Sequence, residues 1–163
     1  MLLGMTTFTA IHVVLSLIGV ASGLVALFGL ITANSMSSST LLFLLTTLAT
    51  SVTGFFFPFH GFTPALGLGI LSVFILIAAI AARYRFHLSG AWRWVYVVCV
   101  VIALYFNSFV LVVQAFLKIH ALHVLAPTGS EWPFALAQAL ALAFYFLTGA
   151  LAIKGFRRAT LGL

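Results

Sequence analysis

A single acidic side chain, Glu131, stands against seven basic ones in 163 residues, and six of those seven fall in two clusters. Arg83, Arg85 and Arg93 form the first cluster, and Lys154, Arg157 and Arg158 form the second. A soluble fold of this size has to clothe its surface in polar groups, and soluble domains carry about 25% charged residues. Here the charged fraction is 5% and the hydrophobic fraction 64%. A chain of this make-up is an integral membrane protein, all-α, because a backbone inside lipid has to satisfy its own hydrogen bonds. The net charge of +6 does not indicate nucleic acid: the bases flank apolar spans and form no stripe on a soluble face. Clusters so placed suit the anionic lipid headgroups of a cytoplasmic leaflet.

Crossing the hydrocarbon as a helix takes about 20 apolar residues. Five segments are candidates. The first runs from about 7 to 31 and leads into a polar loop at 33–39. The second, from about 41 to 57, is short and carries Thr46, Thr47, Thr50, Ser51 and Thr53, hydroxyls that can bond back to their own helix or to a neighbour. The third opens at Thr63-Pro64, a good N-cap and first-turn pair, and ends near 82. The fourth starts at Trp92, reaches about 117 and has the pattern to continue to 125, a length that requires it to protrude from the bilayer or bend. The fifth runs from about 133 to 153. The expected fold is a polytopic transmembrane bundle of five spans, or four if the second segment does not cross.

The basic clusters orient the bundle. Two spans separate them, so they share a face, and the positive-inside rule makes that face cytoplasmic. Five spans then put the N-terminus outside and the C-terminus inside. All four prolines, Pro58, Pro64, Pro127 and Pro133, fall in the outer connections. Trp92, Trp94 and Tyr84 mark an inner aromatic belt, and Trp132 with the Phe55–Phe59 run an outer one. The N-terminus has no basic region ahead of its apolar stretch, so the first segment reads as a span and not a signal peptide. Cys99, the only cysteine, reads as a buried structural thiol.

Lipid tails are as apolar as leucine, so membrane helices associate through small and polar residues. His12, Ser16, Gly19 and Gly23 follow one face of the first span; an intrachain contact or a homodimer contact both suit it. Asn107, Gln114 and Lys118 share a stripe on the fourth span, and Gln138, Tyr145 and Gly149 on the fifth. Such faces point inward, either to bond between helices or to line a polar cavity. Lys118, the one base outside the clusters, lies near the outer end of its span. It can snorkel to the headgroups, pair with Glu131 or meet an anionic ligand.

The same topology brings His12, His60, His120, His123 and Glu131 to the outer side and leaves His87 inside. His120 and His123 with His60 or Glu131 are candidate zinc or copper ligands. His12 opposite a histidine of the fourth span is a candidate haem pair. A quinone or other amphipathic ligand near these residues is a third possibility. No carboxylate lies in a span, and there is no phosphate-binding loop, H-E-x-x-H motif or pair of carboxylates for acid–base work. The chain therefore reads as a non-enzymatic accessory subunit or ligand-binding bundle, alone, as a homo-oligomer or in a larger membrane complex. A redox protein and a small channel or transporter are the alternatives.

The stretch NSFVLVVQAFLKIHALHVLAPTGSEWPF, with TGFFFPFHGFTP and GAWRWVYVV, resembles a family of small bacterial inner-membrane proteins with no assigned activity. The likeness covers about the last two thirds of the chain. It implies a bacterial membrane setting and a compact multi-span bundle, and it carries over no catalytic residue. The family pattern implies an apolar residue or proline near His120 and a proline in place of Trp132.

Overall fold

The computed structural model describes residues 6–34, 37–58, 61 and 63–161, with side chains as far as 156. His60 and the side chains of Arg157 and Arg158 lie outside the described residues. The described elements are helical: α1 (Thr7–Ile31), α2 (Ser37–Gly54), α3 (Pro64–Ile80), α4 (Trp92–Lys118), α5 (His120–Leu125) and α6 (Trp132–Leu161). Four helices, those starting at Thr7, Pro64, Trp92 and Trp132, are long and apolar enough to cross a membrane.

Local chemistry sets the ends. The Thr6 hydroxyl accepts from the Thr9 amide at 3.2 Å and starts α1. The Thr63 hydroxyl does the same for the Leu66 amide, with Pro64 in the first turn of α3. α2 begins earlier than expected, because Ser37–Ser39 form its first turn and not a loop, and it ends earlier, at Gly54. The hydroxyls of Thr46, Thr50, Ser51 and Thr53 donate to the carbonyls four residues back, at 2.7–3.0 Å. A hydroxyl-rich helix thereby presents a far less polar surface. α3 widens into a π-helical turn over Ala81–Arg85. α4 does not continue to 125: Ile119 takes an extended conformation (φ −90°, ψ 114°), and α5 sets off after the bend. α6 runs past the expected end at 153, through the second basic cluster.

The helices alternate in direction. His12 meets Thr53, while Gly23 meets Phe43, so α1 and α2 lie antiparallel along their lengths. Arg83 at the end of α3 reaches Ser37 at the start of α2. Ser16 meets Asn107, and Tyr145 meets Ser108. Thus α1, α2, α3 and α4 close a ring, and α6 packs outside it against α1 and α4. One end of the bundle gathers Arg83, Arg85, Arg93 and Lys154; the other gathers Pro58, Pro64, Lys118, the α5 histidines and Glu131. Phe74 and Phe146, at 67% and 75% exposure, are typical of the outward faces. Apolar surface on that scale belongs against lipid tails.

Close approach holds the ring together. A β-carbon at Gly23 would lie 2.6 Å from Leu104 Cδ1 and 2.7 Å from Phe43 Cδ2. Both neighbours are fully buried in the core with Leu76, Val97 and Val100. At Gly155 a β-carbon would run into the Ile31 carbonyl, so α6 touches the backbone of α1. The Gly19–Gly23 face is therefore an intrachain contact. On α6, the Gln138–Tyr145–Gly149 face packs on α4. Gln138 Nε2 donates to the Phe109 carbonyl at 3.3 Å, and Val101 lies 3.1 Å from a β-carbon placed at Gly149.

Gly23→Leu should destabilise the fold by about 1–3 kcal/mol or more through overpacking. Reversible unfolding in mixed micelles measures it. Gly54→Ala, whose nearest neighbour would be His12 Cε1 at 3.7 Å, should be close to neutral.

Candidate functional site

The inward face of α1 builds the site. His12 Nδ1 lies 2.9 Å from Thr53 Oγ1. The Thr53 hydroxyl has one proton and donates it to the Ala49 carbonyl at 2.7 Å, so toward His12 it accepts. His12 therefore carries its proton on Nδ1. In the neutral ring Nε2 then keeps its lone pair, and among the described residues it has no partner. The edge of Phe57 packs on the imidazole at 5.1 Å between centroids. One turn further along α1, Ser16 Oγ donates to Asn107 Oδ1 at 2.8 Å, and Asn107 Nδ2 donates back to the Ser16 carbonyl at 3.4 Å. Below that pair lies Thr47, buried to 3% exposure. Unlike its neighbours it does not bond back to its own helix, and its hydroxyl has no partner.

These groups border a cavity of about 440 Å³ inside the ring, reaching from mid-bundle to the end that carries Lys118. Its size falls within the ~300–1,000 Å³ of small-molecule sites. His12, Ser16, Thr47, Asn107, Gln114 and Lys118 are among its polar groups, with the hydroxyls of Thr9, Thr50, Ser51 and Ser72, while Phe55, Phe57, Leu66, Leu68 and Phe106 supply much of its apolar wall. None of the lining side chains is a carboxylate. Beneath it the ring is filled by Phe43, Leu76, Val100 and Leu104.

Four of the candidate residues thus come together: His12, Asn107, Gln114 and Lys118. His120, His123 and Glu131 do not join them. His120 and His123 sit on α5, beyond the bend at Ile119, and both are exposed. Glu131 turns its carboxylate onto its own loop, accepting from the Thr128 amide and hydroxyl and from the Ser130 amide at 3.0–3.1 Å. Desolvation pushes its carboxyl up, but these hydrogen bonds together outweigh that and hold it below the usual carboxylate range. Among the described residues no three His, Cys, Asp or Glu side chains gather as metal ligands.

The basic residues of the opposite end divide in role. Arg83 is engaged by the protein, bonding Ser37 at 3.3 Å and Tyr96 at 3.5 Å and lying over the Tyr84 and Tyr96 rings. Arg93 donates to the Leu88 carbonyl at 3.2 Å. Arg85, which lies over the Phe86 ring at 5.9 Å, and Lys154 are exposed.

Sequence reading missed the contribution of α3. Leu66, Leu68, Gly69 and Ser72 line the cavity, and Ser72 is the one hydroxyl in the apolar run PALGLGILSVFILIAAI, a signal that was available. It also named Thr47 only as one of several hydroxyls, without singling it out.

No family model, curated protein or solved structure matches the chain.

Ser16→Ala should cost about 1 kcal/mol, the scale of one interhelical hydrogen bond in a membrane protein. Combined with Asn107→Leu it should cost less than the sum of the two single changes, since the second removes the group the first leaves unpaired. A double-mutant cycle on unfolding free energies checks the coupling.

Proposed function

We propose that this chain is a multi-pass protein of a bacterial inner membrane, with five passes, its N-terminus outside and its C-terminus in the cytoplasm. On this reading it works without catalysis, holding an amphipathic ligand in the outer half of its helix ring. The cavity carries the proposal: polar groups and apolar walls enclose one space, with a cation at its rim and an unpartnered hydroxyl at its floor. A small amphiphile satisfies both kinds of wall at once. The filled core below favours a holding site over a through-channel.

The five-pass reading rests on α2. Its 18 residues rise about 27 Å, and it pairs with α1 from Thr53 beside His12 to Phe43 beside Gly23. A helix matched to a membrane-crossing neighbour over that depth crosses with it. The bonded-back hydroxyls explain how a threonine-rich segment tolerates lipid. Arg83, Arg85, Arg93 and Lys154 at one end supply the charge bias that orients the bundle.

Reporter fusions after Ser38, His60, His87 and Ser130 should read inside, outside, inside, outside. A cytoplasmic reading at His60 would overturn the orientation. Protein purified in mild detergent should retain about one amphiphile per chain by mass spectrometry of its extract, and the cavity-filling Val110→Trp should lose it. An empty wild-type cavity would overturn the ligand reading.

A further inference from the structure

The polar groups of the cavity are spread along it. An amphiphile with a single head, such as a fatty acid, would meet Lys118 at the rim and leave the floor unsatisfied, because the buried Thr47 hydroxyl and the second Asn107 Nδ2 proton would face a hydrocarbon tail. The site calls for polar atoms at two levels. His12 and Gly19 are seven residues apart on α1, about 10.5 Å, with the bonded Ser16–Asn107 pair between them. A β-carbon at Gly19 would lie 2.9 Å from Asn107 Nδ2 and 3.0 Å from Thr47 Oγ1, so these two groups flank the same point on the floor. A span of about two turns suits a six-membered ring with oxygens on opposite corners and a hydrogen bond of about 2.8 Å at each end.

The two levels also differ in hydrogen-bonding sense. At the upper level His12, with its proton committed to Thr53, offers only the Nε2 lone pair. At the floor Asn107 Nδ2 offers a donor, and Thr47 offers a hydroxyl of either sense. The faces between are aromatic and aliphatic: Phe55, Phe57, Leu68 and Phe106.

We propose that the cavity binds a quinol, a ring with two opposed oxygens, with one O–H donated to His12 Nε2 and the other oxygen received by Asn107 and Thr47. The inference rests on the amphipathic-ligand reading and makes it specific. The oxidised quinone carries an acceptor at both corners, so it keeps the floor contacts and loses the bond to His12. The site therefore discriminates between the two redox states by binding alone, and no electron transfer is part of the proposal.

The test uses the full chain in phosphatidylcholine nanodiscs, with decylubiquinol, decylubiquinone and oleate as probes and affinity measured by calorimetry. The quinol should bind one per chain and about tenfold more tightly than the quinone, the worth of one buried hydrogen bond. His12→Asn keeps an N–H for Thr53 at the place of Nδ1 but has no counterpart of Nε2. It should abolish the quinol preference while leaving quinone affinity within about twofold. Thr47→Val, nearly isosteric, should weaken both forms without lowering the unfolding midpoint of the ligand-free protein, since it removes an unpartnered hydroxyl. Equal affinity for the two forms, or a preference that survives His12→Asn, would overturn the inference. Oleate binding that Val110→Trp abolishes, with no quinol binding, would overturn it and leave the amphiphile reading standing. Failure of all three probes to bind would count against both.

Discussion

The approach of α1 to α2 and α4 is the constraint from which the rest of the bundle follows. In lipid no hydrophobic effect drives helices together, so contact has to come from backbone proximity and from hydrogen bonds that lipid cannot replace. Gly19 and Gly23 supply the first. With no side chain at either position, Phe43 and Leu104 reach the α1 backbone and fill the space that a β-carbon would take. Ser16 and Asn107 supply the second, a reciprocal pair one turn above. The tight contact fixes the lower half of the ring. Above Gly19 the α1 side chains grow to Ser16, Val13 and His12, α1 and α4 no longer close on one another, and the cavity lies there. Packing and site are thus two halves of one helix face.

The hydroxyls of α2 show how local and tertiary chemistry divide the same residue types. Thr46, Thr50, Ser51 and Thr53 quench their polarity on their own helix. Thr53 does more: by donating to Ala49 it fixes the His12 tautomer, so a backbone bond in one helix sets the chemical sense of a ring in another. Thr47 alone remains open. An unpartnered hydroxyl in a buried setting costs free energy, and this one belongs to a residue that borders the cavity.

Helix boundaries were legible where a terminus has its own signal. Thr63 with Pro64 marks such a start, and the starts expected near 7 and at Trp92 are kept as well. They were less legible where the signal is weak: α2 recruits the serines before it, and α6 continues through the basic cluster because nothing there breaks a helix. The bend at Ile119 had no marker, such as glycine or proline, in the run LKIHALHVL. That bend turns the chain at His120 and His123 off the α4 axis. Even an unbroken α4 would have put both on the face opposite Asn107, Gln114 and Lys118. Glu131 was grouped with the histidines on a shared end of the bundle, but an acid three residues after a threonine in a tight loop closes on that loop first.

Composition and charge placement determined, without coordinates, that this chain is built of apolar helices with six of its seven bases in two clusters. Those properties follow from solvent: lipid excludes charge and unpaired backbone wherever the chain runs. The 3.6-residue period likewise determined which residues of one helix share a face, including His12 with Ser16 and Asn107 with Gln114. Only the tertiary structure decided which faces meet, that α3 contributes a wall, that Thr47 turns inward, and that His12 presents Nε2. Periodicity sets rotation within a helix, but the pairing of helices depends on how side chains of particular shape interlock across a contact. That information resides in pairs of residues far apart in the chain, such as Ser16 with Asn107 and Gly23 with Leu104.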